Sequence, residues 1–259
     1  MKKVTAFVGT ATKRFTLRAV QQFADNLQAF GDVECEIVPL KDYRIENCRG
    51  CQLCFDKGEE RCPLKDDRDL LIRKIKASDG VVFATPNYSF QISGMMKTFL
   101  DRLGYAFHRP QFFGKAFTNI VTQGFFRGGE IVKYLDFVGF GLGFNTVKGS
   151  CLKTLAPMPQ KAQRKFDKAM VELAQRFHKR LANPFPAPGL IKLMIFSWSR
   201  MSMLARERDT RDYAYYSEKG WFDSDYFYPI RSGALKKTAG HLFDSIAKRI
   251  SKGMVKQAA

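Results

Sequence analysis

The chain of 259 residues has no long apolar run, few histidines and a deficit of acidic residues. No window reaches the 18 or more uncharged apolar residues of a membrane span, because the nearest candidate, Leu190–Leu204, contains Lys192 and Arg200. The first apolar run, Val4–Val8, is too short for the core of a signal peptide. The sequence therefore predicts neither a membrane span nor a targeting segment, and it indicates a cytoplasmic protein.

The scarcity of histidine and of acid also limits the function. The three histidines, His108, His178 and His241, are scattered, so no catalytic triad is predicted. Because the chain has 43 Lys and Arg but only 25 Asp and Glu, its net charge is +18. This charge favours anionic partners such as phosphorylated cofactors or lipid surfaces. Nothing apart from this charge indicates nucleic-acid binding, and none is predicted.

Five strand-like apolar runs alternate with five helical patterns along the first two thirds of the chain. The runs are Val4–Val8, Val33–Leu40, Val81–Thr85, Phe117–Val121 and Phe144–Val147. Such alternation predicts a doubly wound, five-stranded parallel sheet with the flavodoxin-like order 2-1-3-4-5. In that order the loops after strands one, three and four meet at one crevice, where a ligand is expected.

Each of those three loops has a distinct composition. The loop Gly9–Thr16 is rich in hydroxyls and cations and precedes a helix, which suits a phosphate, although an ordinary turn with Thr16 as the N-cap is an alternative. The loop Thr85–Gln91 follows the third strand, which Pro86 stops, and the fourth strand leads into the Gly-rich loop Thr122–Gly129. Their predicted convergence is the strongest indication of a site.

Four of the six cysteines lie within fifteen residues. They are Cys48, Cys51, Cys54 and Cys62, in the spacing C-x2-C-x2-C-x7-C. Thiolates at such spacing can converge on a cubane iron–sulfur cluster or on zinc. Reduced thiols in a loop, or a redox-active thiol pair, are the alternatives, whereas Cys35 and Cys151 are interpreted as core residues.

A C-terminal extension is predicted after the sheet domain. We place the domain at 1–182 and the extension at 183–259, beginning with a Pro-rich hinge at 183–189. The extension is helical and aromatic-rich, and its segment Leu235–Lys256 has the pattern of a basic amphipathic helix. Such a helix can contact an anionic membrane surface, but wrapping around the sheet domain or dimerisation is somewhat favoured.

Three motifs give residues 1–182 a resemblance to a known family. They are the loop Gly9–Thr16, the cysteine motif followed by Lys65-Asp66-Asp67, and Ala84-Thr85-Pro86-Asn87-Tyr88 with Ser93-Gly94 and Phe99–Arg102. With these motifs the chain resembles the NAD(P)H-dependent FMN reductase and iron–sulfur flavoprotein group of the flavodoxin-like superfamily.

The resemblance implies a cofactor and a set of residues that bind it. The FMN phosphate would contact Thr10, Thr12, Lys13 and Thr16. The isoalloxazine would be lined by Pro86, Asn87, Tyr88, Ser89 and Phe90, and at its other edge by Thr122, Gln123 and Gly124. In the iron–sulfur members the compact cysteines bind a [4Fe–4S] cluster, which here would use Cys48, Cys51, Cys54 and Cys62.

The resemblance also implies the reaction. Hydride would pass from NAD(P)H to the flavin and on to a quinone, a free flavin or an iron–sulfur acceptor, in a homodimer of the kind that is common in the family. The flavin supplies this chemistry, so no catalytic side chain is assigned. The alternative is a non-enzymatic electron carrier between protein partners, which ranks lower because flavodoxin carriers are typically acidic.

Overall fold

The structure is a computed structural model that describes residues 1–205, 208–230 and 243–244. Its contacts divide the chain into two compact units. The first comprises residues 1–49 and 64–184, and the second comprises residues 50–63 with the described part of the chain after residue 184. The domain division at residues 182 and 183 stays a prediction, but most of the cysteine motif belongs to the second unit.

Six parallel strands form the sheet of the first unit within the described residues. They are β1 Lys2–Val8, β2 Val33–Pro39, β3 Gly80–Pro86, β4 Ala116–Gln123, β5 Asn145–Thr146 and β6 Ser150–Lys153. Their order is β2-β1-β3-β4-β5, with β6 also paired to β4, which confirms the flavodoxin-like order. Every residue of β3 and β4 is buried, as expected of central strands covered on both faces.

The fifth strand differs from the prediction because it is split in two. Between the paired stretches, β4 has two residues, Thr118 and Asn119, where the opposing chain has three, Val147–Gly149. This extra residue is a β-bulge, and the Asp136 carboxylate stabilises it by accepting hydrogen bonds from Asn119 Nδ2 at 2.7 Å and from Gly149 N at 3.2 Å. A Cβ on Gly149 would lie 2.3 Å from Asn119 Oδ1, so only glycine fits there.

Nine α-helices are present in the described residues. They are α1 Phe15–Ala29, α2 Leu53–Asp56, α3 Arg68–Ala77, α4 Gly94–Asp101, α5 Tyr105–His108, α6 Gly128–Gly141, α7 Gln160–Leu181, α8 Leu190–Leu204 and α9 Arg211–Glu218. Helices α1 and α7 pack together on one face of the sheet, where Phe23 and Phe177 meet edge to face at 5.6 Å. Because side chains alternate along strands, Phe83 points to the other face and contacts Phe117 at 5.0 Å.

The second unit has an aromatic core, which confirms the predicted helical, aromatic-rich extension. Trp221 is 4% exposed and contacts Tyr216 and Phe227, with ring centroids 5.0 and 4.8 Å apart. Its Nε1 also donates to Phe227 O at 3.0 Å. None of the helices that the structure describes is long and apolar enough to cross a membrane. Apart from residues 243–244, the segment Leu235–Lys256 lies outside the described residues.

A buried ion pair anchors the base of the cysteine loop in the first unit. The side chains of Asp66 and Arg102 are 1% and 2% exposed and form a direct salt bridge. Asp66 also accepts hydrogen bonds from the backbone N–H groups of Glu46 at 2.8 Å and Arg68 at 3.2 Å. Burial alone raises the pKa of the Asp66 carboxyl, but these hydrogen bonds and the Arg102 charge bring its pKa below the usual range.

Replacing Asp66 with alanine should lower the free energy of unfolding by about 3 to 5 kcal/mol, because the Arg102 guanidinium would lose a buried carboxylate partner. Since the pKa of Asp66 is lowered in the folded state, its stabilising contribution is present above about pH 4 and is lost as the pH falls further. Urea unfolding at several pH values measures both effects.

Asp32→Ala is the matched control. Asp32 is 75% exposed and pairs with the N-terminal amine at 2.8 Å, so its loss should cost less than about 1 kcal/mol. Equal losses in the two variants would contradict the anchoring role of Asp66.

Candidate functional site

The loop after β1 brings hydroxyls and cations to the start of α1. Gly9 N–H donates to Ala84 O at 2.8 Å and so holds this loop against β3. Helix α1 starts at Phe15, and among the described residues no side chain caps it and no acidic residue lies in its first turn. Its first N–H groups therefore favour an anion, and the exposed Lys13 adjoins them. The alternative with Thr16 as the N-cap is wrong, since Arg14 has that position.

Thr122 joins all three predicted loops. Its hydroxyl lies 2.7 Å from the hydroxyl of Thr16, and both side chains are buried. Its carbonyl accepts the N–H of Asn87 at 2.7 Å. The loops after β1, β3 and β4 are therefore brought together at the carboxyl edge of the sheet.

The loop after β3 contains a tight, strained turn. Tyr88 and Gln91 exchange backbone hydrogen bonds of 3.0 and 2.9 Å. The two residues between them, Ser89 and Phe90, have φ angles of 48° and 63°, which non-glycine residues seldom adopt. This turn leaves the side chains of Tyr88 and Phe90 55% and 56% exposed. It therefore presents aromatic surface at the rim of the site.

The loop after β4 contributes an exposed aromatic side chain that the sequence analysis did not assign. Phe126 is 59% exposed, and the centroid of its ring lies 5.3 Å from that of Phe90. Its carbonyl oxygen accepts a hydrogen bond from Asn87 Nδ2 at 3.1 Å. The pair of phenylalanines inside the Gly-rich loop is the sequence signal that could have indicated this side chain. Gln123 is mostly buried, and its Oε1 accepts the N–H of Gly128 at 2.7 Å, so its side chain holds the start of α6.

These features fit a cofactor with a phosphate at one end and a planar ring at the other. The uncapped first turn of α1, with Thr10, Thr12 and Lys13 before it, complements a phosphate. The exposed rings of Phe90 and Phe126 offer surface to a planar ring system. This arrangement fits FMN, while the individual contacts remain predictions.

The ends of the cysteine loop are tied together, but its thiols do not form a recognisable metal centre. Arg44 N donates to Asp67 Oδ2 at 2.7 Å, and Asp67 N donates to Arg44 O at 2.9 Å. All four cysteines are thiols, and Cys48 and Cys51 are exposed. Nowhere in the described ranges do three or more His, Cys, Asp or Glu side chains come close enough to share a metal ion. The four-cysteine ligand set stays a prediction.

Comparison with known proteins assigns the chain to a family. The family described as NADPH-dependent FMN reductase matches residues 2–154, which contain all three loops and the cysteine motif. The chain belongs to this FMN reductase family. The family supports FMN as the cofactor and an oxidoreductase activity, and it confirms the resemblance seen in the sequence.

Two curated relatives of this FMN reductase family member are named iron–sulfur flavoproteins, both from Archaeoglobus fulgidus. One is 32% identical over 142 residues, which cover 54% of this chain and 69% of the relative. The other is 35% identical over 126 residues, which cover 45% of this chain and 56% of the relative. The aligned part of the chain thus spans 69% of the length of the first relative and 56% of the second.

Solved structures support the fold of this FMN reductase family member. RosB, solved with 8-demethyl-8-formylriboflavin-5′-phosphate, matches with a TM-score of 0.57 at 14% identity. The match covers 90% of this chain and 92% of RosB. The NAD(P)H:quinone oxidoreductase from Methanothermobacter marburgensis matches with a TM-score of 0.53 at 16% identity. The match covers 67% of this chain and 98% of the oxidoreductase chain. At these identities the likeness concerns the fold alone.

Gly9→Ala should destabilise the protein by about 1 to 3 kcal/mol through overpacking. A Cβ at this position would lie 2.8 Å from Ser93 Oγ and 2.9 Å from Met96 Cβ, so the β1 loop would be displaced from α4. Thermal and urea unfolding measure the loss.

Gly94→Ala is the control, because a Cβ there meets nothing within 4 Å. That variant should be neutral or stabilised by up to about 1 kcal/mol. If Gly9→Ala is equally well tolerated, the close approach of the two elements does not constrain the site.

Proposed function

We propose that the chain is an FMN-dependent NAD(P)H oxidoreductase that transfers electrons from the nicotinamide to a quinone or free flavin. The meeting of three loops at Thr122 is the observation that carries the proposal, because it brings the uncapped start of α1 and an exposed aromatic rim to one edge of the sheet. Family membership supports the cofactor and the class of reaction. The electron acceptor, a quinone or free flavin, is the part of the proposal that goes beyond family membership.

The protein's own role is to bind and orient. FMN, when bound, supplies the capacity to accept hydride from the nicotinamide and to pass electrons on. We assign the phosphate to Thr10, Thr12, Lys13 and Thr16, and the ring to Pro86, Asn87, Tyr88, Ser89, Phe90, Thr122, Gln123 and Gly124. The exposed Phe90 and Phe126 exclude water from one side of a bound ring and position a flat substrate.

The purified chain should bind FMN, and NADPH or NADH should bleach the absorption of the bound flavin under anaerobic conditions. Addition of a quinone should then restore it. A chain that binds no FMN would overturn the proposal, and one whose bound flavin resists both nicotinamides would exclude the reductase activity.

Lys13→Ala makes the same experiment specific for the phosphate site. The variant should bind FMN about tenfold more weakly, which corresponds to about 1.4 kcal/mol, but riboflavin as before, because riboflavin lacks the phosphate. Lys168→Ala removes the same charge from a side chain that is 78% exposed on α7, and it should leave both affinities unchanged. Equal weakening of FMN and riboflavin by Lys13→Ala would contradict the phosphate assignment.

We also propose that the four clustered cysteines bind an iron–sulfur cluster, which the spacing and the names of the curated relatives support. Among the described residues, the thiols do not form a group of three ligands. The homodimer likewise remains a proposal that the resemblance supports.

Anaerobically purified protein should contain iron and acid-labile sulfide, and Cys62→Ser should lower both. Cys35→Ser is the control, because the Cys35 thiol stays protonated at neutral pH. Burial is the largest cause that raises its pKa to about 11, and the nearby carboxylates of Asp25 and Glu34 raise it further. Purified protein that contains zinc in place of iron, or an equal loss of iron in both variants, would contradict the proposed iron–sulfur cluster.

A further inference from the structure

The outward face of α8 is apolar although it is exposed. Five large side chains of this helix are between 43% and 71% exposed, and we call them the α8 patch: Leu190, Ile191, Met194, Trp198 and Leu204. Ile191, Met194 and Trp198 share one side of the helix, because they are three and four residues apart. The 3.6-residue period places the two charged residues of α8, Lys192 and Arg200, away from that side. An uncharged, exposed apolar surface of this kind marks a site of interaction.

The opposite face of α8 is packed against the aromatic core of the second unit. The ring of Phe196 meets those of Tyr226 and Phe227 edge to face, with centroids 5.6 and 4.7 Å apart. Leu193 and Met203, on the same face, are 3% and 5% exposed. A helix that is apolar on both faces is normally covered on both. Burial of the α8 patch therefore requires a partner other than the aromatic core.

A basic stretch of the chain is attached to the same helix. Asp244 accepts a hydrogen bond from Ser197 Oγ and forms an ion pair with Arg200, so the chain is fixed to α8 at this point. The fifteen residues that follow, 245–259, contain four Lys and Arg and no Asp or Glu. Since a chain extends by at most about 3.6 Å per residue, the first of these cations, Lys248, is within about 15 Å of Asp244. Positive charge is thus tethered beside the apolar surface.

The size and the chemistry of the α8 patch favour a lipid surface over a second copy of the chain. A stable interface between two proteins uses about 20 to 30 residues on each side, whereas the patch has five. A single helix is sufficient at a bilayer surface, where its apolar side chains enter the headgroup boundary and tryptophan is a preferred residue. Each Lys or Arg near an anionic bilayer strengthens binding further, by about fivefold.

We propose that α8 is a membrane-surface contact. The α8 patch enters the headgroup boundary of an anionic bilayer, and the cations after Asp244 bind the phosphate groups of its lipids. The helix lies in the plane of the surface, because its other face stays packed against Phe227 and Tyr226. The apolar contact is thereby assigned to α8 and not to the segment Leu235–Lys256. It goes beyond the proposed function and does not depend on the flavin.

Flotation of the full chain with liposomes tests this contact. Wild type should float with vesicles of equal parts phosphatidylcholine and phosphatidylglycerol, at least about fivefold more than with phosphatidylcholine alone, and added salt should reduce the difference. Leu190→Ser/Ile191→Ser should lower the bound fraction at least about tenfold, because two apolar side chains no longer enter the boundary. The control Phe137→Ser/Val171→Ser removes side chains that are 65% and 41% exposed on α6 and α7, and it should bind as wild type does. Both double variants should retain the wild-type melting temperature.

Fluorescence of the wild type provides a readout that is specific for α8. Trp198 belongs to the α8 patch and is 43% exposed, whereas the other tryptophan, Trp221, is 4% exposed. Anionic vesicles should therefore shift the emission to shorter wavelength and protect Trp198 from quenching by iodide.

Three outcomes would overturn the membrane contact. They are a wild type that does not float with anionic vesicles, equal flotation of the two double variants, and unchanged Trp198 emission in a wild type that floats. A dimer in sedimentation that only Leu190→Ser/Ile191→Ser dissociates would also overturn it, because the α8 patch would then belong to an interface between two copies of the chain.

Discussion

The candidate site depends on the hydrogen bonds of Thr122. A parallel sheet brings the ends of β1, β3 and β4 to one edge, but it does not fix the loops that follow. The Thr122 hydroxyl forms a hydrogen bond with the Thr16 hydroxyl, and the Thr122 carbonyl accepts the N–H of Asn87, so one residue sets the spacing of the loop after β1 and the aromatic rim. Since the hydroxyls of Thr16 and Thr122 are buried, a β1 loop that moved away would leave polar atoms unsatisfied, which opposes such movement.

Most of the sheet could be predicted from the sequence because its strands are buried on both faces. The apolar runs Val81–Thr85 and Phe117–Val121 lie inside β3 and β4, and the order of the strands followed from their alternation with helices. The division of the fifth strand could not be predicted. It depends on Asn119, Asp136 and Gly149, whose side chains and backbone meet only after the sheet has formed.

The site shows the same limit of prediction. Motifs indicated the three loops. The contact between Phe90 and Phe126 requires a turn with positive φ at Ser89 and Phe90, and because neither position is a glycine, the sequence does not predict this turn. The buried pair of Asp66 and Arg102 joins positions that are 36 residues apart. Spacing alone gives no information on such pairs, because partners of opposite charge are numerous along this chain.

The large positive charge of the chain has a more specific meaning in the fold than in the sequence. A net charge of +18 increases the rate at which any anion is encountered, and this effect weakens as ionic strength rises. Where an anion stays depends on local structure. Among the described residues, no side chain caps helix α1 and no acidic residue lies in its first turn, and Lys13 lies just before that end. Because a cation there opposes the helix dipole, Lys13 is better explained by the phosphate that we propose at this end than by helix stability.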